Sequence, residues 1–174
     1  MTHKVMLVIA SDGYHPIEYS VPKRILEHSG ITVITASDKA GTATAKDQTT
    51  TEVEKTVDQL SVDDFDALFF IGGPGALDHL DNETSYQLLR KTAEAKKPFG
   101  AICASVRILA KSGIIKGKKV TGWNGDNELG PILEQAGAIY VRKDVAVDGT
   151  IVTAVGPQAA QEFGAKILTV LGRG

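Results

Sequence analysis

The sequence predicts an α/β fold in which a doubly wound, mostly parallel sheet is sandwiched between helices and carries a small β-hairpin. Short apolar runs rich in β-branched residues recur along the chain, and stretches with apolar residues at helical spacing separate them. Such alternation, joined by right-handed crossovers, places helices on both faces of a parallel sheet. The length of 174 residues and the hydrophobic fraction of 43% are typical of one domain with one core, expected to span residues 1–174.

Six apolar runs predict the buried strands of this sheet, at 5–10, 31–36, 67–71, 99–102, 120–122 and 151–155. Between them, three apolar stripes each predict a helix that covers the sheet with one face: Ile17, Val21 and Ile25; Tyr86, Leu89 and Ala93; and Phe163, Ile167 and Leu171. Further helices are predicted at 106–111 and 128–135.

Two segments show neither the strand nor the helix pattern. Residues 38–57, rich in Thr and in alternating charges, predict a solvated hairpin or a long loop. Residues 139–155 predict a hairpin, because Val145 and Val147 alternate into an Asp148–Gly149 turn that leads to Ile151.

The charge balance gives no indication that the protein binds a charged polymer or a membrane. Nineteen Lys and Arg against 21 Asp and Glu leave a net charge of -2, so we expect neither nucleic acid nor a membrane as partner. The first apolar run is too short for a signal core or a membrane span, and we expect a cytoplasmic protein. The single cysteine excludes an internal disulfide, and the scattered histidines give no support for a metal site.

The cysteine itself lies where a reactive residue is expected. A predicted strand ends at Cys103, and small residues lead from it into a helix, which is the setting of a nucleophile elbow with Cys in place of Ser. The turn would push the sulfur into a cleft, and the helix N-terminus would lower the pKa of the thiol. An inert core cysteine is the alternative.

Two other strand ends carry groups that can assist a thiol. The loop that begins with Gly72 and Gly73 lacks the pattern of a nucleotide-binding loop, but its backbone N–H groups can approach a negatively charged oxygen, unless it is a plain tight turn. Glu18 follows the stripe residue Ile17, and a carboxyl desolvated at the cleft would have a raised pKa and donate a hydrogen bond to a thiolate. A first-turn acid that stabilises the helix dipole is the alternative. His15 is either a proton carrier or a solvated loop residue.

The segment after the fifth predicted strand is open to two interpretations. Trp123 can supply a stacking surface and Asp126 an acid, or the segment only caps the following helix, which is the interpretation that we favour.

Together these motifs resemble the PfpI family, within the superfamily of the parkinsonism-associated protein deglycase. The resemblance is carried by Gly13-Tyr14-His15-Pro16-Ile17-Glu18, Gly72-Gly73-Pro74-Gly75, Ala101-Ile102-Cys103-Ala104-Ser105 and the tail from Val147 to Phe163. It implies a flavodoxin-like, class I glutamine amidotransferase-like fold. It also implies Cys103 as nucleophile, Glu18 as its protonated partner, and an oxyanion pocket built by the amides of Gly73 and Ala104. A homodimer or a larger homo-oligomer is implied as well.

The sequence departs from the family pattern at three positions. Peptidase-like members have His directly after the nucleophile, where this chain has Ala104. Members without that His often have one after the next strand, where Trp123 stands, and many have an acid where His15 stands.

The leading hypothesis is therefore a cysteine-dependent enzyme without a cofactor that acts on small reactive carbonyls such as methylglyoxal, or on glycated protein. In this hypothesis Cys103 adds to the aldehyde, the Gly73 and Ala104 amides stabilise the oxyanion, and Glu18, with or without His15, moves protons. A PfpI-type peptidase or amidase is the first alternative, and a non-catalytic oxidation sensor or chaperone-like dimer is the second.

Overall fold

The computed structural model of the protein describes residues 2–173. The strands are β1 (Lys4–Ile9), β2 (Asp12–Tyr14), β3 (Thr32–Ser37), β4 (Gly41–Ala45), β5 (Thr50–Val53), β6 (Lys55–Thr56), β7 (Ala67–Phe70), β8 (Phe99–Ile102), β9 (Lys119–Val120), β10 (Ile139–Tyr140), β11 (Val145–Asp148) and β12 (Ile151–Ala154). The α-helices are α1 (Pro16–His28), α2 (Ala76–Leu80), α3 (Glu83–Glu94), α4 (Val106–Ser112), α5 (Leu129–Gln135) and α6 (Ala160–Val170).

The central sheet has seven strands in the order β11-β12-β8-β7-β1-β3-β6. Neighbouring strands are parallel, apart from β11, which pairs antiparallel with β12. The middle strands are covered on both faces, so that Leu7 and Phe69 are fully buried. This confirms the predicted doubly wound, mostly parallel sheet.

The order of the strands reverses between β1 and β7. The chain leaves β1 through α1 to reach β3 on one side, and leaves β7 through α3 to reach β8 on the other. Because crossovers are right-handed, these opposite directions put α1 and α3 on opposite faces of the sheet. Helix α6 packs on α1, and α4 packs on α3. Loops after β1 and β7 therefore meet at a switch point, where open α/β sheets bind their ligands.

The two segments that show neither the strand nor the helix pattern in the sequence both form hairpins. Within 38–57, β4 and β5 pair antiparallel and join β2 in a three-stranded sheet. Within 139–155, β11 and β12 form the antiparallel pair, and Asp148 lies opposite Ile151 across the turn.

The prediction of a central-sheet strand at 120–122 is wrong. β9 pairs with β10 in a separate two-stranded sheet. The reason is that β11 folds back along β12 and occupies that edge, so the segment after β9 is attached by the Thr153 hydroxyl, which accepts from the Thr121 N–H at 3.0 Å.

The prediction for the buried face of α1 is wrong by about one residue. Ile17 is 49% exposed, whereas Glu18, Tyr19, Pro22 and Leu26 are buried. Val21 and Ile25 are only half-buried. The Ile25 side chain packs against α6, where it lies close to Gly164. The rotation turns Glu18 into the interior of the molecule.

No helix within residues 2–173 combines the length and the apolar composition that crossing a membrane would require.

Candidate active site

Three strand ends converge at the switch point of the sheet. The loop after β1 is tied to the loop after β7, because the N–H of His15 donates to the carbonyl of Gly72 at 3.0 Å. The turn after β8 is tied to the end of β7, because the buried Ser105 hydroxyl donates to the carbonyl of Ile71 at 2.7 Å. These bonds bring His15, Glu18, Gly72, Gly73 and Cys103 into one neighbourhood.

Cys103 begins a tight turn in a strained backbone conformation. Strand β8 ends at Ile102, a single 3-10 turn covers Cys103–Ser105, and α4 follows directly. The φ angle of Cys103 is 63°, in the left-handed region that non-glycine residues seldom adopt. Its carbonyl accepts from the N–H of Trp123 at 3.3 Å. The strand, turn and helix thus form the elbow that presents a nucleophile above a sheet.

Glu18 lies beside this cysteine and is fully buried. A Cβ atom added to Gly72 would lie 2.6 Å from Oε1 of Glu18 and 2.7 Å from Cβ of Cys103. Only a glycine therefore fits between the carboxyl group and the cysteine. Glu18 does lie in the first turn of α1, as in the alternative interpretation of the sequence, but its side chain is buried beside Cys103.

The carboxyl of Glu18 is held where its neutral form is favoured. Neither of its oxygens has a hydrogen bond of good geometry among the described residues, although the Cys103 thiol and the Gly72 amide lie near. Burial raises its pKa to about 7, and these neighbours only partly oppose the rise. The expected direction of this shift is confirmed.

The expected lowering of the thiol pKa is wrong. Burial raises the pKa of Cys103 to about 12, and the negative charge of Glu18 adds to the rise. The backbone N–H groups of Ala104 and Gly73 lie against the sulfur and act in the opposite direction, but they do not outweigh burial. The helix N-terminus was expected to lower the thiol pKa, but desolvation and the like charge of Glu18 raise it by more.

Cys103 and Glu18 consequently behave as one acid with two protons. The first proton leaves the pair near pH 7 and the second only near pH 12, because two negative charges cannot share this buried space. At neutral to mildly alkaline pH the pair carries one negative charge. That charge can reside on the sulfur if the remaining proton moves to Glu18, and the amides of Ala104 and Gly73 favour this arrangement.

His15 is the N-cap of α1. Its Nδ1 accepts from the N–H of Ile17 at 3.2 Å, so the ring proton of the neutral imidazole lies on Nε2. Burial lowers the pKa of His15, and the positive charge of Lys46 lowers it further. His15 is therefore a neutral hydrogen-bond donor at pH 7, and its basic nitrogen is already occupied.

Trp123 is half-exposed and lies beside Cys103. The guanidinium of the buried Arg107 lies 5.3 Å from the centroid of the indole ring, and it also bonds to Asp126 at 2.7 Å. The capping interpretation holds for the adjoining residue, because Oδ1 of Asn124 accepts from the N–H of Leu129 at the start of α5. Trp123 itself forms part of the wall of the cavity at Cys103.

These groups surround a cavity of about 500 Å³. Cys103, Ala104, Gly73, Trp123, His15 and Lys46 line it, together with Pro74, Leu77 and Pro157. The first five of these residues were predicted from the sequence to belong to the site.

Lys46 and Arg107 are the site residues that the sequence analysis missed. Lys46 belongs to the Thr-rich segment that was interpreted only as a hairpin or a loop, and nothing in its spacing relates it to Cys103. Arg107 had a usable signal, since a positively charged residue four positions after Cys103 lies about one helical turn beyond it, at the second position of α4.

Across the part of the chain that the structure describes, no three His, Cys, Asp or Glu side chains come together as ligands for a metal ion.

Comparison with known proteins extends the similarity beyond the motifs. The chain is 30% identical to the putative cysteine protease YraA of Bacillus subtilis, over 97% of this chain and 98% of that protein. It is also 30% identical to the deglycase PfpI of Pyrococcus furiosus, over 87% of this chain and 90% of that protein. The crystal structure of a ThiJ/PfpI domain protein from Brachyspira murdochii superposes with a TM-score of 0.92 at 26% identity, covering 98% of this chain and 97% of the other. The model of the DJ-1/PfpI family matches residues 3–170, so the chain belongs to the DJ-1/PfpI family.

Proposed function

We propose that the protein is a cysteine-dependent enzyme, working without a cofactor, that converts small reactive 2-oxoaldehydes such as methylglyoxal into 2-hydroxy acids. The observation that carries this proposal is that the buried Glu18 carboxyl and the backbone N–H groups of Ala104 and Gly73 all lie close to the Cys103 thiol. Relatives that carry the name deglycase support the same class of carbonyl chemistry.

The first step is the addition of sulfur to the aldehyde. The Cys103 proton moves to the Glu18 carboxylate, and the thiolate forms a bond to the aldehyde carbon of methylglyoxal. The C=O bond opens, and the resulting oxyanion accepts hydrogen bonds from the amides of Gly73 and Ala104. Protonation of this oxygen by Glu18 gives a hemithioacetal and regenerates the carboxylate.

The second step is an internal oxidation and reduction. Glu18 removes the proton from the former aldehyde carbon and returns it to the former ketone carbon, so the first carbon is oxidised and the second is reduced. The product is a lactoyl thioester on Cys103. Water then cleaves the carbon–sulfur bond to release lactate and the thiol, so the net change is the addition of one water.

A peptidase mechanism fits this geometry less well. It needs an imidazole that takes the thiol proton and passes it to the leaving amine. His15 lines the cavity, but the nitrogen that could accept a proton is engaged by the N–H of Ile17. Freeing it would uncap α1.

The test is to follow methylglyoxal loss and lactate formation with wild type, Cys103→Ser and Glu18→Gln. We expect each substitution to lower kcat/KM by about a hundredfold or more, since each removes a group that acts in the transition state. Glu27→Gln, an exposed change on the same helix, is the matched control and should keep the wild-type rate. Equal rates for wild type and Cys103→Ser would overturn the proposal.

A further inference from the structure

The lining of the cavity at Cys103 is mainly apolar, but it also carries hydrogen-bond donors and one positive charge. Its apolar part includes Pro74, Leu77, Trp123 and Pro157. Its lining residues include no Asp or Glu, and Lys46 is the charged residue among them. The other polar groups on the wall are the neutral His15, which can donate only from Nε2, and the amides of Gly73 and Ala104. The acid of the site, Glu18, is buried behind Gly72 and carries its proton for much of the time near neutral pH.

Lys46 is held at this wall by its backbone. It follows β4, and its N–H donates to the carbonyl of Tyr14 at 2.9 Å, so the hairpin is fixed to the segment that carries His15 and Glu18. The Lys46 side chain is exposed and lines the cavity mouth. Its charge reaches both site residues, because it lowers the pKa of His15 and of Glu18.

The nearest acidic residues do not cancel this charge inside the cavity. Asp47 lines a neighbouring groove that His15 and Lys46 also line, and its carboxylate accepts from the hydroxyl of Thr49 at 2.6 Å. Its charge raises the pKa of His15 and so opposes the effect of Lys46, which is the larger of the two. Asp126 is bound to Arg107, whose guanidinium lies against Trp123. Asp126 thus compensates the charge of Arg107, and Lys46 is the cation that lines the cavity.

We propose that the preferred substrates are 2-oxoaldehydes that carry a carboxylate or another anionic group, which Lys46 binds at the mouth of the cavity. This inference rests on the proposed function, since it names the substrate class of the same site. An anionic tail bound at Lys46 would leave the aldehyde free to reach the sulfur of Cys103. Adducts on protein lysine or arginine side chains, which are bulky and border on cationic groups, fit the same wall poorly.

A suitable probe is 4,5-dioxopentanoate, in which two methylenes separate the carboxylate from the ketone. Sulfur adds to its aldehyde, the hydrogen moves from the aldehyde carbon to the ketone carbon, and water releases the acid. The product is 2-hydroxyglutarate, and the net change is again one water, so no external oxidant or reductant is needed. The methyl ester of the same compound is a neutral substrate of nearly equal shape.

The first measurement compares kcat/KM for the anion and for its methyl ester. We expect wild type to prefer the anion, and Lys46→Met to lower the ratio of the two values by about three- to fivefold, as for one solvated charge contact. Lys46→Glu should lower it by about tenfold or more, because attraction becomes repulsion. Lys91→Met changes the net charge equally at the far end of α3 and should leave the ratio at its wild-type value.

The second measurement needs no turnover. Iodoacetate and iodoacetamide alkylate the same sulfur and differ mainly in charge, so the ratio of their rates on Cys103 reports the potential in the cavity. Divided by the same ratio for N-acetylcysteine amide, a thiol without a carboxylate, this value should exceed one in wild type and fall with Lys46→Met. The preference should also shrink at high salt.

The outcomes separate this inference from the proposed reaction. Turnover of both substrates with a ratio insensitive to Lys46 would overturn the inference and leave the reaction standing. An iodoacetate preference that depends on Lys46, without turnover of either substrate, would overturn the reaction and with it the substrate class. Both ratios falling in the Lys46 variants alone would establish the inference.

Discussion

At the scale of single residues, the site depends on one buried proton shared by two acids. Glu18 has no hydrogen bond of good geometry to stabilise its charge, and Cys103 has two amides against its sulfur. The pair can therefore place its remaining proton on the carboxyl and its negative charge on the sulfur without a histidine. Such a transfer would let a thiol with a raised pKa react near neutral pH.

The pair predicts the pH dependence of Cys103 reactivity. In wild type the rate of alkylation by iodoacetamide should rise with an apparent pKa near 7, where the pair loses its first proton. In Glu18→Gln the amide cannot accept the thiol proton, so the midpoint should move to higher pH by one unit or more, with ~10-fold slower alkylation at neutral pH. Both curves are measured by quenching the alkylation at set times and determining the alkylated fraction from the mass of the intact protein.

The matched control for this shift is Glu27→Gln, which removes a carboxylate from the exposed side of α1, where it faces Lys23 at 3.7 Å. Its midpoint should equal that of wild type. A Glu18→Gln curve that coincides with the wild-type curve would show that Glu18 does not take the proton.

The sequence was informative about this pair and silent about its surroundings. Cys103 and Glu18 could be predicted because each lies at a strand end, and strand ends share one edge of a parallel sheet. The sign of the thiol pKa could not, because it depends on how deeply the sulfur is buried and on the distance to a second acid. Lys46 lies on a hairpin that reaches the cleft through tertiary contacts, so its position could not be predicted from the local sequence.

At the scale of elements, two glycines set how closely the strand ends approach. Gly72 lets the Glu18 carboxyl and Cys103 both enter the space that a side chain at this position would fill. Gly100 lies in β8, and a Cβ atom there would lie 1.7 Å from the carbonyl oxygen of Val152 in β12. The strand that carries Cys103 therefore needs a residue without a side chain two positions before the strand end.

Gly100→Ala should both destabilise the protein and lower the reactivity of Cys103. The added methyl must push β12 away from β8, and we expect a loss of about 3 kcal/mol or more of unfolding free energy, typical of overpacking against backbone. Urea denaturation gives the stability, and the alkylation rate of Cys103 reports whether the elbow has moved.

Gly130→Ala serves as the comparison, because a Cβ atom at this position of α5 approaches nothing closer than 4.0 Å. This substitution should change the unfolding free energy by less than about 1 kcal/mol, because the better helix propensity of alanine is offset by crowding between its Cβ atom and the ring of Pro131. Equal stability changes for the two variants would contradict the role given to Gly100.

The elements themselves were predicted well where burial alone decides them. Five of the six predicted runs became strands of the central sheet, since each is covered on both faces. The run at 120–122 failed because the sheet edge was already occupied by β11, a competition between segments that no local pattern records. The stripe of α1 failed because the buried face of this helix depends on its contacts with α6 and with the sheet, which are distant in sequence, and Ile17 lies outside that face.

At the scale of the whole molecule, the buried acid lowers the stability of the fold that contains it. The pKa of Glu18 rises from 4.5 to about 7 on folding, so the native state binds more protons than the unfolded state between these values. Stability must then fall as pH rises through this window. Keeping the Glu18 carboxyl buried at the site therefore lowers the stability of the folded protein at neutral and alkaline pH.

This predicts that Glu18→Gln is more stable than wild type at mildly alkaline pH. The difference in unfolding free energy between the two proteins should grow by about 3 kcal/mol between pH 5 and pH 8, following the shift of the Glu18 pKa. Urea denaturation across this range measures it. Comparing variants removes the contribution of His15, whose lowered pKa makes stability rise with pH in the same window.

A Glu27→Gln variant should follow the wild-type curve throughout, since that carboxylate is exposed. If the curves of wild type and Glu18→Gln stayed parallel from pH 5 to pH 8, Glu18 would not titrate near 7 in the folded protein.

The indole against Arg107 gives the molecule an optical probe of its own. Trp123 is the sole tryptophan of the chain, and its ring forms part of the wall that faces Cys103. Excitation at the red edge of protein absorption therefore reports on that wall alone. A carbonyl compound or an alkyl group arriving at the sulfur changes the polarity and quenching around the ring, so each arrival can be timed by emission from the unlabelled protein.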